Sequence, residues 1–159
     1  MKNLFLVCGI SGCGKSTWIK KQIQKDKKNS IHISRDSIRF SLLNDTDDYF
    51  KKEKQVFKIF INKIKEALQE KNQIQNIYID ATHLDEKSRN KILNKLDLTN
   101  VNVIAVGFQV PLSVCIAQNS KRTGRAFVDP NVIKEMYKRF QLPTNKEKYK
   151  YSIIKIIKK

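Results

Sequence analysis

Residues 9–17 read GISGCGKST, and Gly9, Gly14, Lys15 and Ser16 stand at the fixed positions of the pattern G-x-x-x-x-G-K-[ST]. Those residue types suit one kind of chemistry. The backbone N–H groups of a glycine-rich loop, with the positive end of the helix behind it, receive phosphate oxygens. Lys15 would reach the β- and γ-phosphates of a nucleoside triphosphate, and the Ser16 hydroxyl is a ligand for Mg²⁺. The candidate cradle is Gly9, Ser11, Gly12, Cys13, Gly14, Lys15, Ser16 and Thr17, where Cys13 needs only to be small.

A cradle leaves open where the terminal phosphoryl group goes. SRDSIR at 34–39 offers an acceptor side. An attacking hydroxyl must lose its proton, so a carboxylate beside the γ-phosphate helps as general base, and Asp36 is the candidate. Arg39 lies three residues on, on the same helical face, where it could orient that acid or bind an acceptor phosphate. The chain has six arginines against 26 lysines, and four of the six form two pairs: Arg35 with Arg39, Arg122 with Arg125. Arginine where lysine is the default cation suggests bidentate phosphate contact. Arg122 and Arg125 flank Gly124 on a basic loop suited to close over a triphosphate and neutralise charge as a lid. Asp80 ends an apolar run and is the candidate acid to hold Mg²⁺ through water; it could instead touch the acceptor.

The elements that must position these residues alternate. LFLV at 4–7 predicts a strand buried on both faces, IHIS at 31–34 a second, IYID at 77–80 a third, VNVIAVGF at 101–108 a fourth and YSIIKII at 151–157 a last. Helices are expected near 15–25, 36–44, 48–71, 85–96 and 112–119. A further one opens at Pro130 behind an Asp129 cap and ends by Pro143, with Ile133, Met136, Tyr137 and Phe140 as its buried stripe. In the 48–71 stretch Phe57, Phe60, Ile61, Ile64 and Leu68 form the buried face, and lysines the other. DTDD at 45–48 reads as a solvated loop. The pattern is that of an α/β, P-loop kinase-type sandwich: a mostly parallel sheet flanked by helices, one domain over 1–159, with a basic helical lid near 119–141.

Bulk properties narrow the function. Three cysteines with no C-x-x-C spacing point to neither a disulfide framework nor a zinc site, and a cytoplasmic setting is expected. The four apolar residues before Cys8 are too few for a signal peptide, and no run is long enough for a membrane helix. The net charge of +17 exceeds the magnitude of roughly 2–8 that solubility needs, which favours a polyanionic partner such as nucleic acid. A GTP switch is disfavoured: NKLD at 94–97 precedes a strand rather than following one, and Asp80 is followed by Ala81, Thr82 and His83 without a D-x-x-G. His32 and His83 lack a partner acid at a persuasive spacing and read as structural or surface residues.

Four segments together resemble the phage-type polynucleotide 5′-hydroxyl kinases: GISGCGKSTW at 9–18, SRDSIR at 34–39, IYIDATHL at 77–84 and NSKRTGRAFVDPNVIKEMYKRF at 119–140. The resemblance implies that Lys15, Ser16 and Thr17 bind the phosphates of ATP and Mg²⁺, and that Asp36 activates a terminal 5′-OH. It implies that Arg39 positions that acid and a substrate phosphate, and that Arg122 is the lid arginine. It implies a DNA or RNA end as substrate. Ala81 departs from the hydroxyl or amide expected directly after the third-strand acid. The D-x-D-G-T of the phosphatase often fused to that family is absent, so a separate phosphatase or ligase is the expected partner. A kinase of a metabolite, nucleoside or antibiotic is the alternative.

Overall fold

The computed structural model describes residues 1–159. Strands β1 (Lys2–Cys8), β2 (Ser30–Ser34), β3 (Asn76–Asp80), β4 (Val101–Gln109) and β5 (Ile153–Lys158) form one all-parallel sheet in the order β2-β3-β1-β4-β5. Between them run α1 (Lys15–Gln24), α2 (Arg35–Leu42), α3 (Glu53–Leu68), α4 (Glu86–Leu93), α5 (Leu112–Ser120) and α6 (Pro130–Arg139). The expected α/β sandwich is what forms.

Alternation along the central strands sends side chains to two cores. Leu4, Leu6, Cys8, Ile77 and Ile79 meet Val56, Phe60 and Ile64 of α3 and Ile92 of α4. Phe5, Val7 and Tyr78 face the other way, against Ile19 of α1, Cys115 of α5 and Ile133 of α6. Burial on both faces is why β1 reads as an unbroken apolar run.

The register sets the site. Val7 of β1 and Ser34 of β2 both pair with Asp80 of β3, so three strands end at one level. The chain leaves β1 toward β2 on one side and reaches β4 on the other. The cleft beyond the strand ends at such a reversal is where open α/β sheets bind ligands.

Several expectations shift in detail. The predicted 48–71 helix spans only Glu53–Leu68, because residues 43–52 are held in turns and the helix end is capped from β1. Lys2 Nζ donates to the carbonyls of Ala67 and Gln69 at 2.9 and 2.7 Å, and to Asn72 Oδ1. Helix α4 stops at Leu93, so NKLD lies in the turn behind it rather than inside a helix, still ahead of β4. Asp129 caps α6 through Asn131 N–H with Pro130 next, as expected, but the helix ends at Arg139, ahead of Pro143. In α6 the buried stripe is Ile133 alone, flanked by half-buried Met136 and Phe140, while Tyr137 is exposed. Strand β5 is an edge, and Ile153 and Ile156, on its opposite faces, stay exposed.

Candidate active site

The loop after β1 is shaped by two glycines. Gly12 has φ 84°, and a side chain there would collide with the Cys115 carbonyl. Gly14 has φ 97° and opens α1 with no side-chain cap, whereas Ser34, Asp85 and Asp129 cap α2, α4 and α6. The first N–H groups of a helix have no internal partner, so at α1 they stay available for an anion. Lys15 is buried, and its Nζ donates to the carbonyls of Gly9 and Ile10 at 2.8 and 3.0 Å along the loop floor.

A cavity of about 290 Å³ covers this loop and the ends of β2 and β3. Its wall includes Ser11, Gly12, Gly14, Lys15 and Ser16 from the loop, Arg35, Asp36 and Arg39 from α2, Asp80 from β3 and Arg122 from the segment before α6. These come from four separate parts of the chain. Gly9 and Cys13 lie beneath the loop, buried, and Thr17 faces outward on α1.

On the loop side, Ser16 Oγ donates to Asp80 Oδ2 at 2.6 Å, and His32 Nε2 lies 2.8 Å from the same oxygen. Burial pushes the Asp80 carboxyl up, but the His32 hydrogen bond, the Lys15 charge and the Ser16 hydrogen bond outweigh it and hold it below the usual range. One hydroxyl beside one ionised carboxylate suits Mg²⁺, which takes few protein oxygens and fills its octahedron with water and phosphate oxygens. His32, read as a structural or surface residue without a partner acid, does have one: Asp80 lies 48 residues away and is brought to it by β2–β3 pairing.

On the other side α2 packs against α3. Arg39 is buried; it donates to Asp36 and to Tyr49 OH, and its Nε and Nη2 bind Glu53 at 2.8–3.1 Å. Arg35 Nη2 donates to the same Glu53 at 2.6 Å. Burial raises the Glu53 carboxyl, but the bonds and charges of the two arginines outweigh it and hold it below the usual range. Tyr49 OH also donates to Asp36 Oδ1 at 3.0 Å; burial and the Asp36 charge push its phenol up to about 12. The Asp36 side chain stays 60% exposed, so its oxygens remain reachable from the cavity.

Two residues stand differently from expectation. Arg125 does not line the cavity: its Nη2 donates to the carbonyls of Asn44, Asp45 and Asp47 at 2.7–3.0 Å. The 45–48 loop is therefore clamped by Arg125 rather than simply solvated, and Asp47 also accepts from Asn44 N–H and Lys51. At Ala81 the missing polar group is made up nearby, since Thr82 and Ser88 both line the cavity.

His83, read as a structural or surface residue, is placed structurally. It is 3% exposed, has φ 44°, and its ring Nδ1 lies 2.6 Å from the Val7 carbonyl, which fixes the proton on Nδ1. Nε2 is buried without a partner, and burial pulls the imidazole down to about 4. Glu53 and Tyr49 lie outside every motif of the sequence, and His83 lies inside IYIDATHL with no role that spacing could assign.

The comparisons agree with this architecture. A protein of Autographa californica nuclear polyhedrosis virus, named as a bifunctional polynucleotide kinase/RNA ligase, is 28% identical over 162 residues. That match takes in 93% of this chain and 22% of the relative, so the chain spans about a fifth of that protein. A fungal RNA kinase structure superposes with TM-score 0.71 at 15% identity, over 98% of this chain and 73% of the other. A gluconokinase from Sinorhizobium meliloti 1021 superposes with TM-score 0.59 at 15% identity, over 99% and 82%. At such identities the structures speak for a shared fold only. The family model described as an AAA domain (AAA_33) matches residues 4–143, from the first strand through the glycine loop to just past α6, and the chain belongs to that family.

Proposed function

We propose that this protein transfers the γ-phosphate of ATP to the 5′-hydroxyl end of DNA or RNA. The observation that carries the reading is that Asp36, an accessible carboxylate bonded to a buried arginine, lines the same cavity as the phosphate loop. Gly9–Thr17 hold the triphosphate, with Lys15 turning from its loop carbonyls to the β- and γ-phosphates. Asp36 takes the proton of the incoming hydroxyl, whose oxygen attacks the γ-phosphorus in line with the departing ADP. Arg39 holds Asp36 in place, and Arg35 and Arg39 face the phosphate that follows the acceptor. Arg122 lies over the triphosphate and offsets charge as the phosphoryl group moves. Ser16 and Asp80 would hold Mg²⁺, which would supply positive charge against the phosphates.

The +17 charge and the viral relative's name support a polynucleotide acceptor. The gluconokinase-like fold supports the rival, a small-molecule kinase. A separate phosphatase or ligase, preparing or joining the same ends, is the proposed partner. The test is labelled ATP with Mg²⁺ and a panel of 5′-OH DNA, 5′-OH RNA, nucleosides and sugars. A polynucleotide kinase will need a phosphate 3′ to the acceptor, and its KM will climb steeply with salt. Transfer to a nucleoside or sugar as fast as to an oligonucleotide, without that salt dependence, overturns the reading.

A further inference from the structure

Phe50 is a large apolar ring in the wrong place for a core residue. It is 64% exposed, yet it lines the same cavity as Asp36 and Arg39. The aromatics that follow it behave differently, since Phe60 is fully buried and Phe57 is packed between Arg35 and Lys91. An apolar ring exposed at the rim of a polar cavity is free to pack against whatever enters it.

Its neighbours fix where it sits. Tyr49 packs edge-on to Phe50, with centroids 4.7 Å apart and planes at 80°. The Tyr49 ring is already engaged, with the Arg39 guanidinium 4.5 Å from its centroid and Phe40 at its edge, and its hydroxyl is bonded to Asp36. Phe50 has only Tyr49 as an aromatic partner, so its ring is open to a ligand. The loop that carries it is tied down by Arg125 at 44–47 and by Lys52 Nζ on the Leu42 carbonyl at 2.7 Å. A clamped ring loses little freedom when something stacks on it.

We propose that Phe50 is the stacking platform for the base of the 5′-terminal nucleotide, so that the enzyme recognises its acceptor by a base as well as by phosphate. This rests on the polynucleotide reading and narrows it. The carboxylate that receives the hydroxyl proton is one hydrogen bond from Tyr49, and Phe50 abuts Tyr49. A flat surface thus stands beside the base catalyst, while the arginines on α2 meet the phosphate. Stacking on a π-face tolerates any base, so the site selects a nucleotide end without selecting its sequence.

The experiment compares Phe50→Leu, which keeps an apolar side chain of similar bulk, with Phe50→Trp, which keeps a π-face. Each is assayed on a 5′-OH oligonucleotide and on the same oligonucleotide with an abasic terminal nucleotide. Phe50→Leu should raise the oligonucleotide KM by ~10-fold with little change in kcat, and Phe50→Trp should stay close to wild type. The abasic acceptor should have a high KM already and respond to neither substitution. As a binding readout without ATP, the fluorescence of a terminal 2-aminopurine should be quenched by wild type and Phe50→Trp but not by Phe50→Leu. Equal KM values for the two variants, or an abasic end used as well as a normal one, overturns the platform while leaving the kinase reading in place. Failure of wild type to phosphorylate any oligonucleotide removes both.

Discussion

The two walls of the cavity are built in opposite ways. The wall proposed to hold the donor, Gly9–Thr17, is one contiguous stretch whose expected ligands are mostly backbone N–H groups. The wall proposed to take the acceptor joins Asp36 and Arg39 of α2, Tyr49 of the turns between α2 and α3, and Glu53 of α3 through side-chain bonds, with Phe50 packed edge-on to Tyr49. The first works wherever a strand turns into a helix over suitable glycines. The second exists only while α2 and α3 are packed together, so it is the wall that can change with substrate.

The widest separation should come from substitutions that remove one wall at a time. Lys15→Ala is expected to abolish transfer, by at least ~10³-fold, and to weaken ATP binding as well. Asp36→Ala should lower transfer by at least ~10²-fold while ATP binding is kept, since it touches only the acceptor wall. Single-turnover assays beside ATP titrations separate the two. Near-normal turnover of Asp36→Ala would erase the distinction.

His83 lies under the junction of the walls and gives a pH test. Its imidazole sits at about 4 when folded against 6.5 when free, so the unfolded chain binds the extra proton between those values. Stability is therefore full above the free value and falls as pH drops toward the folded one. Denaturant unfolding should show a loss of roughly 2 kcal/mol from this residue between about pH 7.5 and about pH 5. His83→Asn, with a side chain that tolerates positive φ, should flatten that slope. An unchanged slope would remove the buried neutral imidazole from the account.

Glu53→Gln sharpens the contrast, because it frees both arginines without touching the donor loop. The acceptor KM should rise ~10-fold, in keeping with loss of charge-assisted bonds, at constant ATP affinity. Arg125→Ala should have the smallest effect, about threefold in acceptor KM, by loosening the 44–47 turns. Hydrogen exchange at those amides would report the loosening directly.

Much of the donor wall was legible because its information is local. GISGCGKST behind LFLV specifies turn, cradle and helix within a few residues, and Asp80 is marked by closing a strand. Asp36 was legible as a carboxylate just past a strand end, and Arg122 as an arginine on a basic loop. Arg125 was equally visible, but its bonds reach carbonyls about 80 residues away, and no local pattern could show that it grips a turn instead of lining the cavity. The same holds for His32, whose acid belongs to another strand.

Sequence alone determined the alternation of strands and helices, the phosphate loop and the positions of the acids at strand ends. Each of these depends on steric and hydrogen-bonding preferences of neighbouring residues, or on a period along one segment. Tertiary structure decided which charges meet. The parallel register brings Asp80 level with Ser34 and Val7, and the packing of α2 on α3 brings Glu53 to two arginines. It also decided which aromatic ring stays in the light and which is buried, because exposure depends on what packs above a residue rather than on its neighbours in the chain.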